Sequence, residues 1–234
     1  MNLEIIYEDD FIIGVSKPNN MLVHHSDYSK NVSEEASLIQ LLYSQIGHKL
    51  YPLHRLDRKT SGIILLSKAP EFVAEFQQLF YNSKIEKIYY GLVRGYSPQE
   101  LLINTPVKGR DSNVYKDAET HLETKESIEI NIPVTPYNTA RYSIVKLTPK
   151  TGRLHQLRIH MNKISFPLIG DPKYGDNNHN HMFKEKFDCN NLFLHAYSLE
   201  FTHPYTNKQV ILKTPFPNHW IKIKEAFKWD ISIK

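Results

Sequence analysis

His54-Arg55-Leu56-Asp57-Arg58-Lys59-Thr60-Ser61-Gly62, HRLDRKTSG, sets one carboxylate among three strong bases and follows it with two hydroxyls and a glycine. A carboxylate so placed has several uses. As a structural residue, Asp57 forms a turn or half of an ion pair. As one of two glycosidase carboxylates, it needs a second acid such as Asp171 or Glu200 at a set distance. As part of a metal site, it needs ligands in a recognisable spacing. The chain has 12 histidines, but none falls in an H-E-x-x-H arrangement. His179 and His181 lie in GDNNHNHMF, which reads as an exposed polar loop. As a nucleophile, Asp57 must stay ionised in a site that excludes water. Burying a carboxylate is unfavourable unless a cation pairs with it, and arginine, planar and always charged, is the natural partner.

The surrounding pattern mixes strands and helices. LEIIY, an acidic turn and FIIGVSKP predict a β-hairpin closed by Pro18. Residues 33–47 predict a helix, with Glu34 and Glu35 in its first turn, apolar Ala36, Ile39, Leu42 and Ile46, and Gly47 as its stop. GIILLSK after the opening motif predicts a buried strand. Pro70 starts a helix that carries Phe72, Val73, Phe76, Leu79 and Phe80 on one face. KIYYGLV and ARYSIVKLTPK predict strands, and GRLHQLRIHMNKI has helical spacing. YSLEFTHPYTNKQVILKT predicts two strands around a turn, and Asn218 caps a last helix with Trp220, Ile223 and Phe227. The weak apolar pattern over 108–127 predicts an insertion or loop. Without regular β-α alternation, the reading is α+β, a largely antiparallel mixed sheet flanked by helices and loops.

Composition narrows the classes. No apolar run approaches the ~18 residues of a membrane helix. MNLEIIYEDD lacks the basic start and apolar stretch of a signal peptide. The single cysteine, Cys189, allows no internal disulfide and fits a reducing compartment. Together these predict a cytoplasmic protein with no membrane partner. The net charge is +4, and over 141–173 there are seven bases (Arg141, Lys146, Lys150, Arg153, Arg158, Lys163, Lys173) against Asp171 alone. That density suits a polyanion such as nucleic acid, or is a solvated basic face.

HRLDRKTSGI resembles the H-R-L-D-x-x-T-S-G signature of the RluA-type pseudouridine synthases. Four more stretches resemble that family's motifs, in its order: YEDDFIIGVSKPNNMLVHHS, EKIYYGLVRG, KTGRLHQLRIHM with FPLIGDPKYG, and LFLHAYSLEFTHP. They span nearly the whole chain. Within the family, the opening and TARYSIVKLTPKTGRLHQLRIH are most similar to the branch acting on transfer RNA. The chain opens straight into the catalytic region, which implies one catalytic domain over 1–234 with no N-terminal S4 domain. Asn19-Asn20-Met21 stand where the family often has Gly-Leu. Asparagine tolerates left-handed backbone, so the turn is expected to survive.

The resemblance implies the pseudouridine synthase catalytic fold, an activity and a site. Such enzymes isomerise a uridine already in RNA, without cofactor or metal. It makes Asp57 the catalytic aspartate, attacking uracil C6 or ribose C1′, or assisting through a glycal. It places Tyr89 against the base, as first acceptor or relay for the C5 proton, and Arg158 as the arginine paired with Asp57. The uridine is flipped out of its stack, and Arg55 fills the gap. Lys59, Arg153 and the basic stretch hold phosphates, while His155 and Gln156 shape the helix beside the pocket. The expected partner is RNA, transfer RNA ahead of a ribosomal stem-loop, and the expected state is a monomer. The reading from another class is a non-catalytic RNA-binding protein on the same fold.

Overall fold

The computed structural model describes residues 2–25, 35–109 and 114–229. In chain order the elements are β1 (Glu4–Glu8), β2 (Ile12–Lys17), α1 (Leu38–Ile46), β3 (Tyr51–Pro52) and β4 (Ser61–Ser67). A 3-10 turn (Pro70–Phe72) runs into α2 (Val73–Tyr81). Then come β5 (Glu86–Arg94), β6 (Glu100–Asn104), β7 (Val107–Lys108), β8 (Tyr115–Lys116), β9 (Glu119–Ile130) and β10 (Ala140–Pro149). Last are α3 (Gln156–Lys163), α4 (Asn177–Phe187), β11 (Leu194–Thr202), β12 (Gln209–Lys213) and α5 (Asn218–Phe227). The chain divides into two units, 1–86 with 196–215, and 87–195 with 216–234.

In the first unit the sheet order is β1-β2-β4-β11, with β12 beside β11 and β3 beside β4. β1 and β2 form the expected antiparallel hairpin, with Glu4 opposite Ser16. All seven residues of β4 are buried. Because side chains alternate across a strand, its Ile63 and Leu65 enter one core with Phe76 of α2. Its Ile64 and Leu66 enter another with Leu38 and Leu42 of α1. A strand covered on both faces has no polar side to show, which is why GIILLSK carries no alternation.

α1 begins at Leu38, five residues later than the start expected at residue 33. Ser37 is its N-cap, and the Gln40 side chain accepts from the Ser37 N–H at 2.8 Å. Gly47 ends it at φ +86, as expected. Residues 33 and 34 lie outside the described residues.

The second unit orders β5-β10-β9-β6, each pair antiparallel. α3 packs Leu157 and Met161 onto Val93, Val145 and Leu147. Elsewhere in this unit, Tyr142 of β10 meets Phe183 of α4 at 5.1 Å and Phe227 of α5 at 5.8 Å.

Three expectations are corrected. The 108–127 stretch is largely strand, because β9 alternates buried Thr120, Leu122 and Thr124 with more exposed neighbours. Threonine serves there as a buried β-branched residue, so an apolar count misses the alternation. GDNNHNHMF is not an exposed loop. It enters α4, capped by the Asp176 carboxylate, which accepts from the Asn178 and His179 N–H groups. Asn218 is the first residue of α5, and Pro217 is its N-cap.

Candidate active site

Asp57 lies in the turn between β3 and β4, where the Thr60 N–H donates to the Asp57 carbonyl at 3.1 Å. The turn is held from below by Lys17, the last residue of β2, which is only 1 % exposed. Its ammonium donates to the carbonyls of Pro18 (2.9 Å), Met21 (3.0 Å) and Arg58 (3.0 Å). An ammonium has three donors, so all three are spent on tying the 18–21 segment to the Asp57 turn. Burial lowers the Lys17 ammonium to about 7, against the opposing pull of the Asp57 charge.

Two more contacts lock the same two segments, and a third ties the turn to Glu35. The Asn19 side chain donates to the Lys59 carbonyl at 2.6 Å, Arg58 Nε donates to the Asn20 carbonyl at 2.9 Å, and Arg58 also pairs with Glu35 at 2.8 Å. Asn20 has φ +63, the left-handed turn expected of it. His54 anchors the other end, accepting from the Leu65 N–H at 3.0 Å and stacking on Phe80. Gly62 has φ +115, and a Cβ there would lie 2.2 Å from the Ala196 carbonyl oxygen, so only glycine lets the chain leave the turn into β4.

In the second unit, Tyr89 is half-buried on β5 and packs against the cluster of Val145, Leu147 and Leu157. Its neighbour Tyr90 is buried, 5.5 Å from the Phe216 ring. Arg158 is 6 % exposed and Asp171 1 %. Arg158 grips both oxygens of Asp171, Nε to Oδ2 at 2.7 Å and Nη2 to Oδ1 at 2.8 Å. Asp171 Oδ1 also accepts from the Lys173 and Tyr174 N–H groups. Burial pushes the Asp171 carboxyl up, but the hydrogen bonds and charge of Arg158 outweigh it and hold it below its ordinary range. The Tyr174 ring lies 5.2 Å from the Arg158 guanidinium, and its hydroxyl is 3.1 Å from His155 Nδ1. His155 sits at φ +55 as the N-cap of α3.

Gln156 is buried and spends its amide on the protein. Its oxygen accepts from Thr151 Oγ1 and the Arg153 N–H, and its nitrogen donates to the Glu119 carbonyl and Thr120 Oγ1. It therefore shapes the loop into α3. Arg55 and Arg153 are exposed, Lys59 half-exposed, and Arg153 Nε donates to the Asp117 carbonyl. The structure thus groups Asp57, Lys59 and Arg55 in the first unit, and Tyr89, Arg153, His155, Gln156 and Arg158 in the second.

Sequence reasoning gave no role to Lys17 and Tyr174, and it weighed Asp171 only as a glycosidase acid. Each was already visible inside a motif, Lys17 in GVSKP and Asp171 with Tyr174 in GDPKYG.

Residues 11–163 match the sequence profile of RNA pseudouridylate synthases. The chain belongs to the RNA pseudouridylate synthase family. It is an enzyme that isomerises uridine to pseudouridine in RNA. The synthase is 37 % identical over 240 residues to tRNA pseudouridine synthase C of Vibrio parahaemolyticus, covering 98 % of this chain and 97 % of that one. It is 36 % identical to the protein of the same name from Haemophilus influenzae, covering 97 % and 99 %. Its fold is like that of human RNA pseudouridylate synthase domain containing 1, with a TM-score of 0.73 and 22 % identity over 92 % of this chain and 84 % of that one. Among the described residues, no helix is long and apolar enough to cross a membrane.

Proposed function

We propose that this synthase converts one uridine of transfer RNA to pseudouridine, with Asp57 attacking the nucleotide, Tyr89 lying against its base, and Arg158 facing Asp57. The choice of transfer RNA rests on one observation, the near full-length likeness to relatives named tRNA pseudouridine synthase C. The flipped uridine loses its C1′–N1 bond. The uracil turns over, C5 bonds to C1′, and the C5 proton leaves by way of Tyr89 while N1 gains one, so nothing is consumed.

The geometry supports these roles. Lys17 fixes the turn of Asp57 and contributes positive charge beside it. Asp171 takes two of the five N–H donors of a guanidinium, so it orients Arg158 without exhausting it. Arg55, Lys59 and Arg153 contact the RNA backbone, and His155 and Gln156 hold the approach to α3. The whole chain acts as a single catalytic domain, as a monomer in the cytoplasm.

The test incubates unmodified transfer and ribosomal RNA transcripts with the enzyme and with Asp57→Asn. Pseudouridine is mapped by carbodiimide labelling and reverse-transcription stops. The expected result is one new stop in transfer RNA, absent with Asp57→Asn, which still binds the RNA. A stop only in ribosomal RNA overturns the substrate. Isomerisation by Asp57→Asn overturns the role of Asp57, and binding without any stop favours the non-catalytic reading.

A further inference from the structure

Tyr174 is fastened at more points than its turn requires. Its N–H donates to Asp171 Oδ1 at 3.1 Å, and its carbonyl accepts from the Asn162 side chain at 2.8 Å. Those two backbone contacts hold the turn after Gly170 whatever side chain the residue carries. The side chain is committed separately. Its ring lies 5.2 Å from the Arg158 guanidinium, and its hydroxyl lies 3.1 Å from His155 Nδ1. The His155 and Tyr174 rings also meet edge to face, with centroids 5.7 Å apart. All of these residues belong to the second unit.

His155 and Arg158 stand three positions apart at the start of α3, so one tyrosine side chain reaches both. His155 has φ +55. That backbone costs free energy in any residue but glycine. A turn that needed only the conformation would be better served by glycine, so the imidazole is kept for what it holds, and its Nδ1 holds the Tyr174 hydroxyl.

Asp171 and the ring restrain Arg158 in different ways. Asp171 meets one edge of the guanidinium, through Nε and Nη2. Two bonds along one edge leave the plane able to tilt about that edge. A pinned ring beneath the cation opposes the tilt. A cation–π contact takes no N–H donor, so Asp171 and the ring together use only two of the five donors of a guanidinium. A second carboxylate in place of the ring would use more donors and cancel the charge.

We propose that Tyr174 is a positioning residue for the isomerisation: pinned by His155, its ring sets the tilt at which Arg158 meets Asp57 and the nucleotide. The inference rests on the proposed pairing of Arg158 with Asp57.

The test measures single-turnover pseudouridine formation and RNA affinity separately, on an RNA transcript that the enzyme modifies. Tyr174→Leu removes the ring and the hydroxyl but keeps both backbone contacts. Its rate should fall about ten- to a hundredfold, the scale set by a small displacement of a reacting group, with RNA affinity and melting temperature near wild type. Tyr174→Phe keeps the ring and loses the pin, so its fall is smaller. His155→Gly loses the same pin, and joined to Tyr174→Phe it is no slower than the slower single variant. In an Arg158→Lys background, Tyr174→Leu causes no further loss, because the ring acts through the arginine. A wild-type rate in Tyr174→Leu overturns the positioning role. So does a fall matched by lost affinity, a melting temperature lowered by several degrees, or an undiminished fall in the Arg158→Lys background. A wild-type rate in Arg158→Lys alone overturns the reading of the site on which the inference rests. If Arg158→Lys is slow and Tyr174→Leu is not, only the positioning role fails.

Discussion

Replacing Asp171 by asparagine tests how the second unit holds its arginine. Asparagine keeps one oxygen for the Lys173 and Tyr174 N–H groups, so the turn after Gly170 survives. It loses the charge, and its amide group meets Arg158 Nε donor to donor. Breaking one partner of a buried ion pair costs about 3–5 kcal/mol, most of it from the charge left behind. The lower end applies, since the Tyr174 ring still lies 5.2 Å from the guanidinium. About 3 kcal/mol is a large share of a typical stability of about 5–15 kcal/mol. For a chain of this size it lowers the melting temperature by about 6–12 °C.

Urea unfolding followed by tryptophan fluorescence reads this as a lower midpoint at unchanged slope. Adding Arg158→Met to Asp171→Asn removes the stranded cation, so the double variant should be more stable than Asp171→Asn alone. A loss under about 1 kcal/mol for Asp171→Asn, or a double variant no better than the single, refutes the argument. The pH dependence has a definite sign. Asp171 titrates below its ordinary range in the folded protein, so the unfolded chain binds its proton first as pH falls. Its contribution is complete above about pH 4 and is lost as pH drops through the lower folded value. Asp171→Asn removes that acid-side slope.

Gly62→Ala should be among the most damaging single changes, costing at least about 2 kcal/mol. It combines a left-handed backbone with a methyl 2.2 Å from the Ala196 carbonyl oxygen, and thermal melting or failure to accumulate folded protein reads it. Lys17→Met should slow single-turnover pseudouridine formation by about ten- to a hundredfold, because small displacements of a reacting group cost that much. RNA binding should stay near wild type, and a wild-type rate refutes the positioning role. His219 is lowered to about 4 by burial, so unfolding must take up a proton below the ordinary histidine range. Stability is therefore full above about pH 6.5 and falls by about 2 kcal/mol by pH 5 from this residue alone. His219→Gln flattens that fall in a comparison of urea midpoints at the two pH values.

The parts of this molecule legible in the sequence are those governed by neighbours in the chain. The hairpin of β1 and β2, the buried β4 and the apolar stripe of α2 follow from periodicity, because each side chain's environment repeats every two or 3.6 residues. Where that logic failed, polar residues had taken apolar places. In α4, His179 is buried and bonded to the Tyr142 hydroxyl at 2.7 Å, 37 positions away, so a histidine occupies what a hydrophobicity scale expects of leucine. The cap at Asp176, with buried Met182 and Phe183 following at helical spacing, was the signal that could have rescued the helix.

The site divides in the same way. Asp57, Tyr89 and Arg158 can be picked out because motif resemblance marks them, yet nothing local says what holds them. Lys17 reaches the turn of Asp57 from 41 residues away, and Asp171 reaches Arg158 across 13. Both holders are buried charges, and burial of a charge is unfavourable without a partner. Lys17 and Asp171 meet that condition within the protein, with three carbonyls and one guanidinium respectively. A reading of neighbours in the chain sees the charge but not the distant acceptor that makes its burial tolerable.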